Sequence, residues 1–197
     1  GEKTFVTIGK YTEIRECVTI NSSCGEGQVV KVGDNCLIMA CCHIAHNCVV
    51  GNHVIMSNGV LLAGHIEIGD FAIIGGMTPL HQFVRVGSYA MVGGMSRVTH
   101  DVPPFTIGGD IPFRLAGLNM VGLKRHNFDL SLRQELTKVF KLTYRSGYTL
   151  REAITHIEKK LNNTECVKHW IDFCKNTKRG LIDFQSSTRR KTPSHSN

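Results

Sequence analysis

An aliphatic residue returns at every sixth position along a third of this chain: Val32, Ile38, Ile44, Val50, Met56, Leu62, Ile68, Ile74, Leu80, Val86, Val92 and Val98. Ile8, Ile14 and Ile20 stand in the same phase, and only Glu26 interrupts it. Such a period fits neither an amphipathic helix, which repeats at about 3.6 residues, nor plain strand alternation. It is the mark of a parallel β-helix, in which each hexad makes one short strand and one corner. Three hexads close a triangular coil of about 18 residues, and successive coils are joined by parallel backbone hydrogen bonds about 4.8 Å apart.

The rest of each hexad agrees. Gly often follows the aliphatic residue, as at Gly33, Gly51, Gly69 and Gly87, and Gly, Asn or Asp there suits a corner with unusual backbone angles. Four places after the aliphatic residue stands a small or β-branched side chain, including Cys36, Cys42 and Cys48. Those cysteines are accounted for as small core residues. With no C-x-x-C pair, zinc-ligand spacing or export signal among the eight cysteines, free buried thiols in a cytoplasmic protein are expected.

A solenoid needs covered ends. Pro103-Pro104 is read as the end of the β-helix (residues 1–104), followed by a connecting loop over 105–128 and a C-terminal α-helical region over 129–184. Ser131 to Gln134 and Thr149 to Glu152 fit capping boxes, predicting helices from Leu132 to near Gly147, from Leu150 to about Leu161, and from about Glu165 to Lys175. Ser, Thr, Arg and Pro dominate residues 185–197, where a disordered basic tail is expected. Nothing in the sequence caps the N-terminal end, so further coils before Gly1 or another covering element are expected.

Charge divides the chain. Residues 1–123 hold 7 Lys/Arg against 9 Asp/Glu, and residues 124–197 hold 16 against 7. The basic part suits an acidic protein, a phosphorylated ligand or nucleic acid, or is a solvated helical surface. No aromatic residues interleave with Arg189, Arg190 and Lys191, which argues against nucleic acid. No apolar stretch is long enough for stable membrane insertion.

The histidines fall where chemistry could occur. With 18-residue coils, His46 stacks under Gly64 and Gly64 under Gln82, so His46, His65 and His81 gather along one edge, with His43 near a neighbouring corner. One neutral imidazole could serve as general base toward a hydroxyl attacking an acyl thioester, with a glycine N–H facing the oxyanion. Three histidines could instead hold a catalytic zinc, though nothing else in the sequence favours a metal.

His43-Ile44-Ala45-His46-Asn47, Leu62-Ala63-Gly64-His65, His81-Gln82-Phe83, Asp101-Val102-Pro103-Pro104, Gly122-Leu123-Lys124-Arg125 and Tyr144-Arg145-Ser146-Gly147 resemble the UDP-N-acetylglucosamine O-acyltransferases, whose reaction opens lipid A synthesis. The resemblance implies a left-handed β-helix in a homotrimer, with active sites between subunits. It also implies transfer of an R-3-hydroxyacyl group from acyl carrier protein to the 3-hydroxyl of UDP-N-acetylglucosamine, without metal or cofactor. His46 matches the family's general base and Gly64 its oxyanion N–H. His43, His65, His81, Gln82, Asn119 and Arg125 match substrate-binding positions. Gly94 matches the position that limits acyl-chain length, and a glycine there implies a long chain.

Three departures accompany the resemblance. Asn47 stands where many members have Asp, and an amide stabilises an imidazolium less well than a carboxylate, so another group must orient His46. His126 replaces a common second Arg. The family also has coils before the point matching Gly1, carrying an Asp and a Lys that bind the sugar. Other readings are an N-acyltransferase of the same pathway, a zinc hydratase and a non-catalytic scaffold.

Overall fold

The structure, a computed structural model, describes residues 1–162 and 164–184. Its first half is a left-handed parallel β-helix of two-residue strands on three faces. One face carries Val29–Val32, Val49–Val50, Glu67–Ile68 and Arg85–Val86; the second carries Leu37–Ile38, Ile55–Met56, Ile73–Ile74 and Met91–Val92; the third carries His43–Ile44, Leu61–Leu62 and Pro79–Leu80. The twelve aliphatic residues from Val32 to Val98 all point into the prism and are buried, as are the small residues four places on. Full burial of a side chain such as Ile38, Ile44 or Leu62 contributes about 1.5–3 kcal/mol, so the repeat itself is the main source of stability.

Two details of the hexad differ from expectation. Glu26 is not a flaw in the phase. Ile8 pairs with Val32 and Thr19 with His43, an offset of 24 residues, whereas Ile44 pairs with Leu62 at an offset of 18. The first coil therefore carries six extra residues, extruded as a loop over 21–28. Second, the left-handed corner residue is not the glycine after the aliphatic position but the residue two further on. Asn47, His65 and Phe83 there have φ of 59°, 59° and 65°. The glycines serve close approach instead: a Cβ on Gly33 would lie 2.5 Å from the Gly51 carbonyl oxygen of the next coil.

Placing side chains at the corners stacks them along each edge. On one edge His53, Phe71, Tyr89 and Phe105 form an aromatic ladder with centroid spacings of 4.5, 4.8 and 5.8 Å. On another, Cys17, Cys41, Gly59, Met77 and Met95 follow one another, all with positive φ. The third edge carries Asn47, His65 and Phe83.

The sheet runs past Pro103-Pro104. Thr106–Gly109 continues it in parallel with Met91–Val92 and then turns into an antiparallel hairpin with Arg114–Leu118. Helix α1 (Met120–Arg125) follows, so the segment expected to be a connecting loop is mostly regular structure. Helices α2 (Leu130–Tyr144), α3 (Leu150–Lys160) and α4 (Glu165–Lys175) form the cap around buried Trp170. Thr149 and Glu152 make the expected capping box. The box at Ser131 is absent, because the Asp129 carboxylate accepts from Leu132 N–H and starts α2 two residues earlier than expected. Returning chain ties cap to coil: Asp101, fully buried, accepts from Arg85 N–H and the Thr177 hydroxyl, and its backbone bonds Gly180 and Ile182. The predicted tail over 185–197 lies outside the described residues.

All eight cysteines are free, but Cys17, Cys24 and Cys41 are exposed rather than buried. Burial raises the thiol pKa of Cys36, Cys42 and Cys48, and pushes Cys174 up to about 12. A thiol-reactive reagent is expected to label Cys17, Cys24 and Cys41 in the native protein, and to reach Cys36, Cys42, Cys48 and Cys174 only on unfolding. Peptide mapping after timed labelling checks this; early modification of Cys48 would contradict a closed core.

Candidate active site

The edge that carries Asn47 and His65 is also where the hexad's chemistry concentrates. His46 is the last residue before the left-handed corner, and the residue above it is Gly64. A Cβ on Gly64 would lie 2.5 Å from His46 Cε1 and 2.6 Å from Nε2, so the imidazole occupies space that only glycine leaves open. His65, at the corner of the same coil as Gly64, meets His46 edge-on at 5.2 Å between centroids, and Phe83 stacks on His65 at 4.7 Å.

Backbone donors differ sharply between edges. On the aromatic-ladder edge, the N–H groups of Asp34 and Asn52, equivalent to those of His46 and Gly64, are bonded by Asn52 Oδ1 at 2.8 Å and Asp70 Oδ1 at 2.7 Å. On the histidine edge the residue above His46 is Gly64, which has no side chain to accept in this way. The Gly64 N–H has no hydrogen-bond partner among the described residues. A donor left open beside an imidazole can receive a developing negative charge.

His46 Nδ1 lies 2.9 Å from Asn47 Oδ1, which leaves Nε2 on the side facing Gly64. Asn47, where an orienting carboxylate had been expected to be missed, is thus itself the partner of the ring. His43 lies on the flat third face, 2.8 Å from the Thr19 hydroxyl through Nδ1. His81 and Gln82 are exposed in the next coil up, where His81 Nδ1 lies 3.1 Å from the Gln82 carbonyl oxygen.

Three of the residues singled out from sequence lie elsewhere. Gly94 is exposed on the sulfur-bearing edge beside Met77 and Met95. Asn119 is buried as the N-cap of α1, accepting from Gly122 N–H and donating to the Tyr89 carbonyl, both at 3.0 Å. Arg125 ends α1 and lines a largely apolar cleft of about 450 Å³ with Tyr89, Met91 and Ile107. His126 packs edge-on against Phe71 and Tyr89 at 5.0 and 5.2 Å instead of standing free as a phosphate-binding cation would. One chain therefore brings together His43, His46, Gly64, His65, His81 and Gln82, and keeps Gly94, Asn119 and Arg125 on other edges. Sequence reasoning missed the loop over 21–28 beside His46; the non-aliphatic Glu26 at a hexad position was its signal.

Comparison with known proteins follows this division. Residues 30–64 match the bacterial transferase hexapeptide family, and residues 101–182 match the second domain of UDP N-acetylglucosamine O-acyltransferase. A Gloeothece citriformis protein named acyl-[acyl-carrier-protein]–UDP-N-acetylglucosamine O-acyltransferase is 47% identical, matching 88% of this chain and 62% of its own length. A Nautilia profundicola protein of the same name is 43% identical over 92% of this chain and 70% of its own length. The crystal structure of Francisella novicida UDP-N-acetylglucosamine acyltransferase superposes with a TM-score of 0.88 at 34% identity, covering 91% of this chain and 66% of that one. The chain thus spans about two thirds of the length of these relatives. Likeness at this level runs through both the coil with its histidine edge and the helical cap, and the chain belongs to the UDP-N-acetylglucosamine O-acyltransferase family.

Proposed function

We propose that the chain transfers an R-3-hydroxyacyl group from acyl carrier protein to the 3-hydroxyl of UDP-N-acetylglucosamine, the opening step of lipid A synthesis, in the cytoplasm. The observation that carries this reading is the pairing of His46 Nε2 with the open N–H of Gly64 one coil above it. In the reaction, Nε2 takes the proton of the sugar hydroxyl as its oxygen attacks the thioester carbonyl. The carbonyl oxygen becomes an oxyanion facing Gly64 N–H. On collapse the C–S bond breaks, and His46 returns the proton to the leaving thiolate. His43, His65, His81 and Gln82 surround the base and are assigned to the nucleotide sugar. No step needs a metal or cofactor.

The scatter of Gly94, Asn119 and Arg125 over other edges supports a homotrimer, since threefold packing sets one edge of a prism against a different edge of its neighbour. The cationic cap is assigned to the acidic carrier protein and the diphosphate. Among the described residues no helix is long and apolar enough to cross a membrane.

The test is transfer from 3-hydroxyacyl carrier proteins of graded chain length to UDP-N-acetylglucosamine. Long chains are expected to be preferred, because Gly94 leaves the surface beside Met77 and Met95 open. A Cβ at Gly94 lies 3.2 Å from the Gly76 carbonyl oxygen, so a larger side chain must project outward over that surface. Gly94→Met is expected to lower relative kcat/KM for the longest chain by about tenfold or more against shorter ones. An unchanged preference would remove Gly94 from the acyl groove.

A further inference from the structure

The six extra residues of the first coil fold back onto the corner next to His46. Their contact with Asn47 is paired in both directions. Cys24 N–H donates to Asn47 Oδ1 and Asn47 Nδ2 donates to the Cys24 carbonyl, each at 3.1 Å. The Asn47 backbone N–H reaches Ser23 Oγ at 3.3 Å. The loop is itself braced against the preceding strand: Gly25 N–H binds Glu2 Oε2, Lys3 N–H binds Glu26 Oε2, and Gly27 N–H binds the Lys3 carbonyl.

This arrangement removes an ambiguity that an amide beside a histidine normally carries. Rotating the Asn47 amide by half a turn would set N–H against N–H and oxygen against oxygen at Cys24. Oδ1 must therefore face both Cys24 N–H and His46 Nδ1. An oxygen there can only accept, so Nδ1 carries the proton and Nε2, on the Gly64 side, holds the free lone pair. Asn also tolerates the left-handed corner, with φ of 59°, at little cost.

We infer that Asn47 is a positioning residue whose amide is read by the backbone of Cys24, and that this clamp, supplied by the extra loop, locks His46 in the tautomer a general base needs. The loop selects an amide, not a carboxylate. An aspartate at this position would turn an anionic oxygen toward the Cys24 carbonyl, where Nδ2 now donates. Asn47 is thus matched to its loop instead of being a weakened aspartate. The inference rests on His46 acting as the base, but its first readout does not.

The experiment reads the His46 tautomer by long-range ¹H–¹⁵N correlation at about pH 8.5, above the ordinary imidazole pKa, together with steady-state kinetics. Wild type, Asn47→Gly and Asn47→Asp are compared. Glycine removes the amide without straining a left-handed corner. The expected result is a single Nδ1–H tautomer in wild type and a mixture with Nε2–H in Asn47→Gly. That variant's kcat is expected to fall about 10- to 100-fold with KM moved less than about threefold, within the range that general-base catalysis supplies. Asn47→Asp is expected to shift the backbone amide resonance of Cys24 and to fall below wild type in kcat. Retention of the Nδ1–H tautomer and full kcat in Asn47→Gly would overturn the positioning role. An Asn47→Asp protein equal to wild type in both would overturn the selection for an amide. If wild type itself proved inactive on these substrates, the functional proposal would fail while the tautomer populations still decided the clamp.

Discussion

Replacing His46 with alanine is expected to lower kcat for acyl transfer by about 10²–10⁴-fold while the β-helix stays folded, the span that loss of a positioned general base produces. That corresponds to about 2.7–5.4 kcal/mol of transition-state stabilisation. Folding should survive because the ring contributes nothing to the prism's interior: the buried residues of that hexad are Ile44, Ala45 and Cys48, and His46 sits outside them, half-exposed at the corner. The surviving rate would come from the Gly64 donor and substrate binding. Two readouts separate a base from a packing residue. Thermal melting should move little, and added imidazole should restore part of the rate by entering the space under Gly64. A variant with wild-type kcat would place the proton transfer on another group, with His65 the first to examine because its ring is the neighbour of His46.

The fold was legible from sequence because a β-helix stores its tertiary contacts in the period. Residues one coil apart are stacked neighbours, so fixing the repeat fixed that Gly64 covers His46 and that Cys36, Cys42 and Cys48 are core. What remained hidden depends on departures from the period. Glu26 was visible as a break, but a break does not reveal whether the chain skips, bulges or extrudes a loop. Only the pairing of Ile8 with Val32 shows six residues displaced toward Asn47. The corner glycines misled for a different reason. Glycine meets either of two needs, left-handed φ or close approach, and at Gly33 the backbone of the next coil demands the second. Beyond the solenoid, Pro103-Pro104 read as a stop, yet Thr106–Gly109 still joins the sheet, since an edge strand tolerates proline before it. Asn119 and Arg125 lie at helix α1, past the last hexad, so the period carries nothing about where they sit relative to His46.

Gly64→Ala tests the other half of the site, and its effect should approach that of removing His46. The substitution is unusually clean. Gly64 does not sit in the left-handed region, so alanine adds no backbone strain. Its methyl carbon would instead meet the His46 ring at 2.5–2.6 Å, well inside contact distance. The ring is the softer partner, being the free end of a half-exposed side chain, and it should swing outward while the coil remains in place. Movement costs the alignment of Nε2, and the methyl group also crowds the Gly64 N–H, which has no partner among the described residues. Loss of a single oxyanion donor alone costs about 10²–10³ in kcat, and displacement of the base adds to it. Steady-state kinetics on the folded variant, with the melting temperature as control, measures the outcome. The double variant with His46→Ala sharpens it: if the methyl acts mainly by displacing the base, the second substitution should cost little more, whereas a full further loss would assign the N–H its own share. Near-wild-type kcat in Gly64→Ala alone would show that neither the ring position nor the N–H matters to the chemistry, and the proposed oxyanion site would have to be abandoned.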